Sequence, residues 1–537
     1  MAVLITSGLV CWQVGAVGTW FPLANLPPGA PGHMVLLSDG TVMVQNNGNT
    51  GWYRLTPNAS GSYISGTWTT LKSMNYSREY YSSDVLRDGR LFVAGGEYGT
   101  GGANAEVYDP LANSWSVTSS AGVGFADSES VLLPNGNVLV SPVSWVPFPA
   151  FVTMIYNPNL NTWTNIGESR AYQDECSWVK LPDDSILTVD DNNTTTERYI
   201  PSLGQWIVDR STPVNLWDPN NGEIGASLLL PDGRAFYLGA SGHTAFYTPS
   251  GNTNFGSWAV GPNLPNGYVM ADAPSAMMRN GKILFVCSTE SSHSPFYFYE
   301  YDPVGNAFTQ VSSPTGGLSD GRVISDATSM VDLPDGTVLF NDTGTQLYAY
   351  VPDGSTVASG KPSVSSVAWN TDGSLHLTGT LFNGISQGAM YGDDAQQDSN
   401  YPIVRFIAGG NVYYGRTYNW SRTSVQTGSA IVTTDVSVPS VVFSNPGNYS
   451  LIVVANGIPS DQVTFYGPVW VDFNYSGFQF GTFSFPYSTL AQGVSAVASG
   501  GTVAINAGAQ PSDSHETMTI SKPMTIISVY GPSTIGH

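Results

Sequence analysis

Leu86-Arg87-Asp88-Gly89-Arg90-Leu91-Phe92-Val93-Ala94-Gly95-Gly96 is the stretch from which the fold can be read. An Asp-Gly pair accepts the positive φ of a tight hairpin, and an apolar run follows it. The same turn returns as Ser38-Asp39-Gly40, Pro134-Asn135-Gly136, Pro182-Asp183-Asp184, Pro231-Asp232-Gly233, Arg279-Asn280-Gly281 and Pro334-Asp335-Gly336. From Gly40 to Gly336 the last turn residues lie 49, 47, 48, 49, 48 and 55 positions apart. A second landmark keeps the same beat: Leu55-Thr-Pro57, Tyr108-Asp-Pro110, Tyr156-Asn-Pro158, Tyr199-Ile-Pro201, Tyr247-Thr-Pro249, Tyr301-Asp-Pro303 and Tyr350-Val-Pro352. An aromatic follows each of the first six, at Trp68, Trp115, Trp163, Trp206, Trp258 and Phe308. The seventh lacks one, but Trp20 stands unclaimed near the front of the chain. The N-terminal strand is therefore expected to complete the last repeat and close a ring.

A repeat of this length with a hairpin in each unit resembles the kelch repeat, which implies a β-propeller of seven four-stranded blades. The composition agrees. Of 537 residues 59 are Gly, 28 Tyr and 14 Trp, and only 11% are charged, as in an all-β chain rich in tight turns. The formal charge of -22 repels phosphate backbones and argues against nucleic acid as a partner. No apolar run is long enough to span a membrane. Three cysteines, Cys11, Cys176 and Cys287, are too few and too scattered for a disulfide framework.

The expected organisation has four parts. Residues 1–17 are an apolar segment, a signal remnant or a strand. Residues 18–355 form the propeller, closed around Trp20. Residues 361–467 alternate as an immunoglobulin-like β-sandwich does, with strands at Ser374, Ile403, Val441 and Ser450. Residues 468–537 resemble the start of a parallel β-helix, with a helix near 488–498 and strands at Gly501, Glu516 and Met524. The free edges of this last segment suggest self-assembly. Sparse charge, the Asn-x-Ser sequons at Asn58, Asn75, Asn419 and Asn448, and Ser/Thr/Gly-rich loops point to a secreted or cell-surface protein.

Met74-Asn-Tyr-Ser-Arg78-Glu-Tyr80-Tyr-Ser82-Ser83, Asp88-Gly-Arg90-Leu-Phe92 and Gly95-Gly96-Glu-Tyr98 closely resemble one blade of the galactose oxidase and glyoxal oxidase family of copper radical oxidases. Asn383-Gly-Ile-Ser-Gln-Gly, Tyr391-Gly-Asp-Asp and Asn400-Tyr-Pro-Ile-Val-Arg405 resemble that family's C-terminal domain. The resemblance spans roughly residues 18–467. It implies that Tyr80 matches the family's cross-linked tyrosine and Tyr98 the aromatic that stacks on it. The cysteine partner is absent near Pro31 and Gly32. Ser325-Asp326-Ala327 stands where a Tyr-His pair belongs, and no histidine lies near Tyr414. Copper requires a tight set of imidazole-type ligands, so copper radical chemistry is not expected.

Nine and ten residues before the turns, acids recur: Glu79, Asp127, Asp174 with Glu175, Glu223, Asp272 and Asp326. Six of seven blades carry one, far above what 40 acids in 537 residues supply at random. These positions begin the innermost strands, so a ring of carboxylates is expected at one end of the axis. Such a ring takes up a hard cation such as Ca²⁺, shares protons as an acid-base set, or hydrogen-bonds neighbouring strand starts. Arg78, Tyr80, Tyr98, Trp145, Phe148, His243 and His293 are the candidate ligand contacts around it. Aromatic faces beside acceptors suit a sugar. Glycan or polyol binding is the expected function. The alternatives are a sugar hydrolase or lyase using the carboxylates, a divergent oxidoreductase, and a structural assembly protein.

Overall fold

A computed structural model describes residues 17–126, 128–141, 152–170, 173, 176–220, 222, 224–387, 400–508 and 512–536. Seven antiparallel four-stranded sheets make a seven-bladed β-propeller. The six repeats that begin at Pro31, Ser82, Ser130, Val179, Ser227 and Ser275 each run outward in sequence order. The seventh takes Ser329–Asp332, Val338–Asn341 and Tyr348–Val351, and borrows Thr19–Pro22 as its outer strand. Trp20 pairs with Tyr350 in that register, as the missing aromatic required. The 55-residue spacing before Gly336 reflects a longer connection, which bridges back through Asp320 to Phe296 and makes a single turn of 3₁₀-helix at Ser325–Ala327.

The local physics follows the repeat. The turn residues have φ of 76° at Gly40, 80° at Gly89, 86° at Gly136, 87° at Gly233, 81° at Gly281 and 84° at Gly336. Asp184 takes 67° in the fourth blade. Inner strands are buried throughout and outer strands such as Thr67–Thr70 are mostly exposed. The outer-strand tryptophans bolt neighbouring blades together. Indole N–H groups donate from Trp68 to Asn25 O (3.0 Å), Trp115 to Lys72 O (2.9 Å) and Trp163 to Ser119 O (2.8 Å), each carbonyl lying in the connection from the preceding blade.

A β-rich half-barrel or sandwich follows, from Ser363 to Gly467. Its eight strands form one continuous antiparallel network rather than two separate sheets. The expected strand at Val441 is instead a short helix, Ser440–Ser444. Pro439 turns the chain there, and its carbonyl accepts from the N–H groups of both Val442 and Phe443. This region covers the propeller face that carries the hairpin turns. A Cβ on Gly40 would lie 2.3 Å from the Tyr414 ring. Buried Lys180 donates to Leu132 O (2.9 Å) and Thr423 O (3.3 Å), and Gln426 Nε2 donates to Leu230 O (2.6 Å).

Beyond it, Val469–Val471, Thr502–Asn506 and Thr525–Val529 stack in parallel, with Val469 beside Val503 and Val503 beside Ile526. Ser512–Ser514 and Ser533–Ile535 form a second parallel pair. The helix Leu490–Ala496 is capped by Thr489, whose side chain accepts from Gln492 N. No strand forms at Glu516. Its carboxylate turns back to accept from Leu490 N at 2.6 Å, and the residues after it belong to no helix or strand. Among the described residues no helix is long and apolar enough to cross a membrane.

Candidate functional site

The half-barrel packs against part of the turn face, and the opposite ends of the inner strands also present a candidate site. A cavity of about 210 Å³ opens there, where blades seven, one and two meet. Glu79, Tyr80, Tyr98, Asp326 and His33 line it, together with Gln45 and Asn341. Each blade contributes through the same two places, the entry to its inner strand and the exit from its second strand.

Tyr80 and Tyr98 meet edge to face, with ring centroids 6.0 Å apart and planes at 75°. Both have positive φ, 48° and 50°, which is costly for a bulky side chain. Asp272 holds the same 48° at the equivalent place in blade six, so the kink at Tyr80 belongs to the strand entry. Tyr98 lies in the connection after the second strand, where Ser292 and Thr343 of blades six and seven also have positive φ, and it is 74% exposed. Glu79 leans toward blade one. A Cβ on Gly48 would fall 2.2 Å from its Oε1, so only glycine leaves room for that carboxylate. His33 is buried, with Nε2 2.8 Å from Ser83 Oγ and its ring 4.7 Å from that of Tyr81. Tyr81 in turn donates to Gln45 Oε1 at 2.8 Å, and Asn341 Nδ2 donates to Gly32 O at 2.9 Å. These bonds fix the walls before any ligand arrives.

The other expected site residues fall differently. Arg78 touches the cavity, but its guanidinium is fully buried and committed. It donates to Glu106 Oε2 at 3.0 Å and to the carbonyls of Gly95 and Asn104. Burial pulls the Arg78 pKa down, and Glu106 pulls it back up. Arg78 thus borders the cavity as expected, with its charge paired to Glu106 inside blade two. His243 is half-buried with Nδ1 2.9 Å from Asn263 Oδ1, away from the cavity. The backbone carbonyl of His293 accepts from Ser325 N at 3.1 Å, beside the turn that carries Asp326, but His293 does not line the cavity. Asp272 does not line it either. Trp145, Phe148, Asp127, Asp174, Glu175 and Glu223 lie outside the described residues. Among the described residues no three His, Cys, Asp or Glu side chains converge as a metal site would require.

Gln45 and Asn341 were not anticipated. Their signal was present: in blades one and seven the apolar second strand ends on an amide, in Val42–Asn46 and Val338–Asn341. The thiols of Cys176 and Cys287 are both buried, and burial raises both pKa values well above the ordinary thiol range. Neither supplies a reactive sulfur.

The architecture defines an all-β chain, a seven-bladed propeller followed by a β-rich half-barrel or sandwich. No protein-family model and no curated protein matches it. Among solved structures it is similar to a fungal alcohol oxidase of the AA5 family in complex with copper. The TM-score is 0.51 at 15% identity, covering 85% of this chain and 100% of that one. A streptogramin B lyase (TM-score 0.43, 11% identity, 63% of this chain and 98% of that one) also matches. So does the virginiamycin B lyase of Staphylococcus aureus (0.42, 11%, 62% and 98%). At 15% identity the likeness to the alcohol oxidase is one of fold alone.

Proposed function

We propose that this chain is a secreted or cell-surface protein of the kelch-propeller kind that binds a carbohydrate or small polyol in the cavity between blades seven, one and two. The observation that carries this reading is the pairing of an exposed aromatic, Tyr98, with acceptor groups of Glu79 and Asp326 around one small cavity. An apolar face to stack on and carboxylates to receive hydroxyls are what a sugar ring asks for. A cation such as Ca²⁺ held by the wider carboxylate ring is part of the proposal, and metal analysis of purified protein tests it.

The donors around this cavity do not fit a copper radical centre. One imidazole lines it, His33, and Ser83 already engages that ring. No thiol lines it. If the cavity turns over a sugar at all, Glu79 and Asp326 would serve as acid and base in a hydrolase or lyase. Titration calorimetry against a panel of mono- and oligosaccharides tests the binding. The Glu79→Gln/Asp326→Asn double variant keeps the shape and removes both charges. It is expected to weaken the best ligand at least about tenfold. Equal affinity in the variant would move the site elsewhere.

Self-assembly through the C-terminal segment is proposed on a separate observation. Val503 and Ala504 of the middle rung, on its two faces, are fully buried, whereas Ile526 and Ile527 of the last are only half-buried. Residues 524–536 carry no Asp, Glu, Lys or Arg in a chain of net charge -22, so two copies can meet there without repulsion. Ile527→Lys is expected to turn a dimer into a monomer in sedimentation equilibrium. A wild-type protein that sediments as a monomer refutes this.

A further inference from the structure

Six of the seven hairpin turns end on glycine, and the fourth ends on Asp184. That residue pays for its φ of 67° with backbone strain that glycine would avoid. Its Oδ1 is buried and no hydrogen bond reaches it. A buried carboxylate oxygen without a donor is costly, so two local rules are broken at one residue. The same residue lines a groove of about 640 Å³ on the rim of blades three, four and five. This groove lies at the turn ends of the inner strands, across the propeller from the cavity described above.

The groove is built rather than incidental. One wall is the 250–254 loop of blade five. Arg198, buried in blade four, holds it by donating to Asn252 O at 3.0 Å and Asn254 O at 2.6 Å. The adjoining Asp183 is already satisfied, by Ser185 Oγ at 2.6 Å and by Arg198 at 3.5 Å. Asp184 contributes the charge that remains. Among the described residues no Lys, Arg or His lines the groove, so no positive charge offsets Asp184 there. Pro134, Ile155 and Pro201 give it a half-buried apolar side, and Asn135 and Asn252 stand exposed beside them.

We infer that this groove is a second ligand site, for a cationic polyhydroxylated unit: an amino-sugar residue of a glucosamine-type polymer. Its ammonium pairs with the half-buried Asp184 carboxylate, its hydroxyls meet the exposed amides, and its C–H face rests on the prolines. The site is independent of the axial cavity.

The test titrates glucosamine hexamer, at a pH where its amines are protonated, into the Glu79→Gln/Asp326→Asn protein, in which the axial cavity is weakened and lacks both carboxylates. Binding is expected, weakened at least about tenfold by Asp184→Gly and by Asp184→Asn. Asp184→Gly should melt no lower than its parent, because glycine suits the turn, so lost binding would not reflect unfolding. The N-acetylated hexamer and hexalysine should each bind at least about tenfold more weakly than the glucosamine hexamer. No binding, equal binding by the Asp184 variants, or equal binding of either control overturns the inference.

Discussion

Arg78→Met is expected to destabilise the propeller by about 3–5 kcal/mol and to change ligand affinity little in the protein that remains folded. The guanidinium and the Glu106 carboxylate are both fully buried, 3.0 Å apart. Methionine fills most of the volume but leaves Glu106 charged. That carboxylate retains donors from Asn75 N at 2.8 Å, Asn75 Nδ2 at 2.6 Å and Tyr76 N at 3.3 Å, but no counter-charge. The carbonyl of Gly95 also loses its donor, and that of Asn104 keeps only the one from Gly95 N. Glu106→Gln added to Arg78→Met should recover part of the loss, because the stranded charge is then gone. Urea unfolding followed by tryptophan fluorescence gives the midpoints. A variant that keeps its midpoint and loses affinity would instead make Arg78 a ligand-binding residue.

The contrast between Arg78 and Asp184 shows what a repeat does and does not disclose. Periodicity placed the hairpins, because a turn that needs positive φ restricts its residues whatever surrounds it. It placed the Tyr-x-Pro and tryptophan landmarks for the same reason, and it showed that Trp20 was owed to the last blade. It also located the strand entries where Glu79, Tyr80 and Asp326 now share a cavity. It did not disclose which side chains turn inward. Arg78 adjoins the cavity in sequence, yet the nearest unsatisfied charge, Glu106, lies inside its own blade. His243 sits in a connection on the expected face, but Asn263 is its neighbour. Gln45 and Asn341 reach the cavity from second strands, and this depends on blades one and seven standing side by side. Outside the repeat, local pattern misled twice. Val441-Val-Phe reads as a strand, but Pro439 and its carbonyl start a helix. Glu516-Thr-Met-Thr-Ile alternates, but the helix at Leu490 leaves N–H groups that Glu516 satisfies.

Trp20→Ala is expected to cost about 2–4 kcal/mol and to loosen the seventh blade before any other. The indole is the ring's closing bolt. Its N–H donates to Ser312 O at 2.8 Å, in the connection that leaves blade six, as Trp68, Trp115 and Trp163 donate to the connections before their own blades. Its ring packs within 5.1 Å of Phe298, 5.5 Å of Phe340 and 4.7 Å of Tyr350. Only half of the effect is local. Thr19–Pro22 is the one strand of that blade that arrives from the far end of the repeat, with Thr19 opposite Val351 and Pro22 opposite Tyr348. Its detachment exposes an edge that no neighbouring segment can cover. Trp20→Phe keeps most of the packing and removes the N–H, so it should cost about 1 kcal/mol, the worth of the hydrogen bond alone. Hydrogen exchange separates local opening from global loss. In Trp20→Ala the amides of Tyr348–Val351 should exchange faster than those of Leu91–Ala94 in blade two. If both segments lose protection equally, closure contributes only to global stability and the seventh blade is not the weak point of the ring.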